Sequence, residues 1–184
     1  KRQHPNGRFL YATNNDRAKK KGYAVSFLKM PDTGELIELS NVETGGQSAA
    51  FIEVDGRGRF AYIANYRGGS VAGFRLEPDG RIGPPTIFVK HQGSSKTSRQ
   101  TEPHPHAVRI SSDNQYVYVP DLGTDNVFVY QLNHFDGSLS SAIEPWTRVE
   151  EGSGPRHLDF HPRAPAVYLI NELSSTVTVF KRHQ

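Results

Sequence analysis

The 184-residue chain has no cysteine, one methionine and one tryptophan. Without cysteine there is no disulfide framework and no thiolate chemistry, which suits a reducing compartment, and we expect the cytoplasm. No apolar run approaches the roughly 18 residues that a membrane span needs, and no signal-peptide pattern opens the chain. No Asn-x-Ser/Thr acceptor occurs. Charge of one sign is also scarce, with 22 basic against 19 acidic residues. A surplus of +3 is too slight to argue for a nucleic-acid partner, which calls for a concentrated basic face. The basic run Arg17 to Lys21 reads as a solvated loop tip. Long helical periods are missing too, as are a Gly-x-Ser-x-Gly elbow, a His-Glu-x-x-His pair and a phosphate-cradling glycine loop before a helix.

What the chain has in quantity is turn formers and aromatics: 17 Gly, 12 Pro, 8 Tyr and 10 Phe. These favour many short strands. One phrase recurs four times, as Phe9-Leu10-Tyr11-Ala12-Thr13-Asn14, Phe60 to Asn65, Tyr116 to Asp121 and Ala166 to Asn171. Its tyrosines, Tyr11, Tyr62, Tyr118 and Tyr168, stand 51, 56 and 50 residues apart. A polar turn precedes each phrase, a second apolar run follows it (Ser70 to Leu76, Asn126 to Leu132), and a Gly-centred turn such as Pro78-Asp79-Gly80 comes next. Each unit therefore reads as four strands in about fifty residues, the signature of a β-propeller blade. The expectation is an all-β fold, a single propeller domain over 1–184 with three nearly complete blades and a fourth cut after its third strand. Because it begins and ends inside a unit, we expect it to be part of a longer ring.

In a meandering blade, the entry to strand one and the turn between strands two and three emerge on one face. In the third unit these corners are His104-Pro105-His106 and Asp121-Leu122-Gly123; in the fourth, Pro155-Arg156-His157 and Asn171-Glu172-Leu173. The second unit has Ala50 where the third has His106. A histidine beside proline, an arginine with a nearby acid, and an acid in a turn each has an ordinary structural explanation. Asp121 and Asp125 fit Asx turns, and His134 and His161 fall on the opposite face as structural residues. Four such side chains converging on one rim are harder to explain that way. A neutral histidine can take a proton near pH 7, an arginine can fork an anion or stabilise an oxyanion, and a glutamate can orient either. Two histidines and a glutamate can also hold a metal, but no ligand spacing here demands one.

At these residues the chain resembles the seven-bladed propeller lactonases, which include propeller-type 6-phosphogluconolactonases and fungal carboxy-cis,cis-muconate cyclases. The resemblance rests on Arg99-Gln100-x-x-Pro-His104-x-His106-Ala107, Pro120-Asp121-Leu122-Gly123-x-Asp125, and Gly154-Pro155-Arg156-His157 followed by Asn171-Glu172-Leu173. It implies seven blades, roughly 350 residues in all, of which this chain covers about four. It also implies hydrolysis of a sugar lactone, with His106, Arg156 and Glu172 catalytic and with His104, His157, Arg99 and Asp121 binding substrate. No cofactor or metal is implied, and the partner is a small lactone rather than nucleic acid or membrane. A muconate cycloisomerase and a non-catalytic binding platform remain alternatives.

Overall fold

The computed structural model describes residues 1–181 and contains fifteen strands and no helix among them. They form four antiparallel sheets in which consecutive strands pair. The first is β1 (Arg2–Gln3), β2 (Phe9–Asp16), β3 (Lys21–Lys29) and β4 (Leu36–Glu43). The second is β5 (Ala49–Val54), β6 (Phe60–Asn65), β7 (Ser70–Leu76) and β8 (Ile82–Lys90). The third is β9 (Arg109–Ile110), β10 (Tyr116–Asp121), β11 (Asn126–Leu132) and β12 (Leu139–Arg148). The fourth is β13 (Pro155–Phe160), β14 (Ala166–Asn171) and β15 (Thr176–Lys181). These are the propeller blades expected from the repeat, four per chain rather than a closed ring.

Blades stack face to face, and burial follows the number of neighbours. In β6 all six residues are buried, because sheets cover both sides of it. In β14, which carries the same phrase, Val167, Leu169 and Asn171 are buried while Tyr168 and Ile170 are exposed. The alternation appears because only the third blade packs against that sheet. Between the first two blades Phe9 and Tyr11 pack against Ile52, Ala61, Ile63 and Phe74. Between the next two, Phe60, Tyr62 and Val71 meet Val108, Val117 and Val119. A hydrogen bond locks this second seam, from the buried Tyr62 hydroxyl to the Gly137 carbonyl at 2.9 Å. Gly137 adopts a φ of +76° beside the Phe60 ring, so the turn both needs and exploits the missing side chain.

The innermost strands set the curvature. Arg2, Glu53, Arg109 and Asp159 each lie opposite a repeat tyrosine, Tyr11, Tyr62, Tyr118 and Tyr168 respectively. They form a row of alternating charge in which Arg2 pairs with Glu53, Glu53 with Arg109 at 2.9 Å, and Arg109 with Asp159. Burial pushes the Glu53 carboxyl up despite its two arginines. Two residues along the inner strands from this row, Phe51 of the second blade meets His157 of the fourth, with ring centroids 5.4 Å apart. Side chains two blades apart touch only because the inner strands bend round a common axis. That bend positions the site.

Candidate functional site

Strands β5 and β13 begin with the same irregularity. One residue more lies on the inner strand than on its partner, between Ala49 and Phe51 in one and between Pro155 and His157 in the other. In the third blade Pro105 bridges Asp121, while Arg109 pairs with Tyr118, which again leaves one extra residue on the inner strand. Ala50, His106 and Arg156 therefore occupy one bulge position in three successive blades. A bulge turns its side chain out of the ladder and re-aims it, here into the mouth of the ring. The turns after β6, β10 and β14 contribute a second equivalent set, Tyr66, Leu122 and Glu172.

The structure brings together most of the residues expected from the sequence. The His106 and His157 rings meet edge to face at 5.2 Å, and Tyr66 meets His106 at the same distance. His104 stacks flat on Tyr66 at 4.5 Å, and its Nδ1 lies 3.0 Å from the Tyr66 carbonyl. Glu172 stands between two guanidinium groups, 2.7 Å from Arg99 and 2.8 Å from Arg156. The Arg156 Nε–H is not directed at the carboxylate, so that contact is an ion pair and not a hydrogen bond. Arg99 Nη2 also donates to the Tyr66 hydroxyl at 3.2 Å.

Burial, followed by the positive charge of Arg156, pushes the His106 imidazole down to about 4. The same two causes, with a further contribution from Arg109, lower His157. Both rings are therefore neutral at pH 7. Among the described residues, Nδ1 of His106 is buried without a hydrogen-bond partner. Burial opposes ionisation of Glu172, but the Arg99 hydrogen bond and the charges of Arg99 and Arg156 outweigh it, and the carboxyl is held below its usual range. The site thus presents two neutral imidazoles, one carboxylate and two guanidinium groups.

Asp121 departs from the expectation of a substrate contact. It is fully buried, and its carboxylate accepts from the backbone N–H groups of His104 (2.7 Å) and Gly123 (3.0 Å) and faces His91 Nδ1 at 2.7 Å. A carboxylate so enclosed supports the His104 segment from behind and has no surface to offer a ligand. His91 was not singled out from the sequence. It is buried, with the Tyr130 hydroxyl 2.9 Å from Nε2. Since Asp121 accepts, Nδ1 carries the proton and Nε2 takes the tyrosine's hydrogen bond. Asp125 and Gln100 make the parallel support for Arg156. Gln100 Nε2 donates to Asp125 and to the Leu122 carbonyl, and Asp125 accepts from Gly152 and Gly154. Tyr66 was not singled out from the sequence either; its equivalence to Glu172 was the available signal.

A cavity of about 460 Å³ touches Arg156, Asn171, Glu172 and Thr176. A larger one, about 1210 Å³, opens between the third and fourth blades beside Tyr116, Tyr118 and Phe160, but none of His106, Arg156 or Glu172 borders it. Of the residues expected to be catalytic, Arg156 and Glu172 border the first, and His106 borders neither. Among the described residues no group of three or more His, Asp or Glu is placed to hold a metal ion.

Residues 2–184 match the family model described as lactonase, seven-bladed β-propeller. The chain belongs to that family. The 6-phosphogluconolactonase of Bacillus subtilis is 31% identical over 172 residues, covering 94% of this chain and 48% of the relative. That of Formosa agariphila is 30% identical over 179 residues, 96% of this chain and 50% of its own. Among solved structures, the periplasmic gluconolactonase of Pseudomonas aeruginosa superposes with a TM-score of 0.93 at 35% identity, over 99% of this chain and 53% of that one. The chain spans about half the length of these relatives in the lactonase family.

Proposed function

We propose that the protein is a lactonase, a carboxylic-ester hydrolase that converts a sugar lactone to its acid, with 6-phosphogluconolactone to 6-phosphogluconate as the reaction. The observation that carries this is the shared bulge position. It sets a neutral imidazole, His106, and a guanidinium, Arg156, side by side on one rim, with Glu172 against the arginine. This chain supplies four blades of the seven that the family forms.

His106 accepts a proton from water as the water oxygen attacks the lactone carbonyl carbon. Arg156 faces the developing oxyanion. Collapse of the tetrahedral intermediate breaks the ring C–O bond, and His106 returns the proton to the departing alkoxide, leaving an open-chain hydroxy acid. An imidazolium beside Arg156 is disfavoured, so His106 alone is a weak base. Negative charge gathering on the carbonyl oxygen offsets Arg156 and strengthens the base as the bond forms. Glu172 holds Arg156, and His157 packs against the His106 ring. A chain without cysteine suits the cytoplasm, and we assign the activity there.

The test is hydrolysis of freshly generated 6-phosphogluconolactone by the protein, with His106→Ala and Arg156→Ala beside the wild type. Loss of two or more orders of magnitude in kcat/KM is expected for each, on the scale of roughly 10²–10⁴ for a general base or an oxyanion group. Turnover that survives His106→Ala refutes the assignment of the base. Conversion of a carboxymuconate in place of lactone hydrolysis would transfer the same residues to a cycloisomerase.

A further inference from the structure

Tyr66 and Glu172 occupy the same turn position in the second and fourth blades, and both hold Arg99. The equivalent residue of the blade between them is Leu122, which is completely buried. Arg99 therefore lies across the third blade, held at one end by a phenol and at the other by a carboxylate.

Arg99 is steadied from its own loop and from Tyr66. On the loop side, its neighbour Gln100 is fully buried and closes a turn on Thr97, with Gln100 N–H donating to the Thr97 carbonyl at 2.9 Å. On the other side, the Tyr66 ring is clamped by the stacked His104. Two of the five guanidinium donors are engaged by these contacts, and the Arg99 side chain is 52% exposed. The two arginines share Glu172 but differ at the histidines. Both charges are felt by Glu172, and that of Arg156 is felt by the His106 and His157 imidazoles as well. One cation is at the reacting centre. The other stands off from it by the width of one carboxylate.

We propose that Arg99, oriented by Tyr66 and Glu172, is the specificity residue that takes an anionic substituent remote from the lactone carbonyl and so separates phosphorylated from neutral sugar lactones. This rests on the lactonase function proposed above. It leaves Arg156 to the carbonyl, and it gives Tyr66 a positioning role that acts through Arg99. Lysine is a poor replacement for Arg99, because a single ammonium cannot bridge Tyr66 and Glu172 while presenting a fork to phosphate.

The test compares kcat/KM for 6-phosphogluconolactone and glucono-lactone in the wild type, Arg99→Gln, Arg99→Lys and Tyr66→Phe. The ratio of phosphorylated to neutral substrate should fall roughly 10- to 100-fold in Arg99→Gln, as expected for a charged hydrogen-bonding pair. It should fall less in Arg99→Lys, and about 2- to 10-fold in Tyr66→Phe, where the ring remains and only one neutral hydrogen bond is lost. A ratio unchanged in Arg99→Gln, with both substrates declining in parallel, overturns the proposal. If the wild type hydrolyses neither lactone, the lactonase function fails, and calorimetric binding of 6-phosphogluconate and gluconate judges the clasp alone. Preference for the phosphorylated acid that disappears in Arg99→Gln then upholds it, and equal affinity in the wild type overturns it.

Discussion

Asp125→Ala tests the scaffold beneath Arg156. Asp125 is fully buried, has a φ of +56°, and accepts hydrogen bonds from Gln100 Nε2 at 2.8 Å, Gly152 N–H at 2.7 Å and Gly154 N–H at 2.8 Å. Each charge-assisted bond contributes about 1.5–3 kcal/mol, so a simple sum would reach about 5–9 kcal/mol. Gly152 is partly exposed and its N–H regains water on mutation, whereas Gly154 and Gln100 are buried and do not. Alanine in the left-handed region costs a further ~1 kcal/mol, where aspartate is tolerated. The expected loss is about 3–5 kcal/mol. In a domain of this size that lowers the thermal midpoint by roughly 6–20 °C. Asp125→Asn keeps the backbone preference and one acceptor oxygen but turns a donor towards a donor, so its loss should be about half as large. Calorimetry or guanidinium unfolding of the three proteins measures both. A midpoint within about 2 °C of wild type for Asp125→Ala would refute the claim that this carboxylate ties the long loop to the Arg156 strand.

The histidine site makes a pH prediction. His106 is held down to about 4 from its usual 6.5, so between those values the unfolded chain binds a proton that the native site refuses. Its contribution to stability is therefore complete above pH 6.5 and is lost as pH falls towards 4. The acid limb of kcat/KM should lie nearer 4 than 6.5, and Arg156→Met should move the His106 titration upward in histidine NMR; no movement would show that Arg156 does not reach that ring. The blade seam makes another. Gly137→Ala places a methyl group against Phe60 at a φ of +76° and should cost about 2–4 kcal/mol in urea unfolding. A neutral result would mean that the second seam is looser than its geometry.

The repeat was legible because its causes are local. Alternating apolar residues, aromatic and β-branched strand formers and Gly or Asx turns act within a few positions, so the strands Ser70–Leu76 and Asn126–Leu132 fall where the pattern put them. The candidate site was legible for the opposite reason: His106, Arg156 and Glu172 depart from what the repeat requires at its corners. The register then added that His106 and Arg156 share a bulge.

Other features came only from the tertiary structure, because they depend on how far the blades curve. Asp121 sat at a corner and looked like a rim residue, yet two backbone N–H groups and His91, 30 residues away, draw its carboxylate inward. Arg99 was expected to bind substrate, but its union with Tyr66 and Glu172, which spans three blades, was not foreseen. The alternating row Arg2, Glu53, Arg109 and Asp159 links residues about fifty positions apart. Local chemistry therefore specifies each blade and marks its exceptional corners. Only the bend between sheets decides which corners meet, since that bend is set by buried side chains packing across sheets that are distant in sequence.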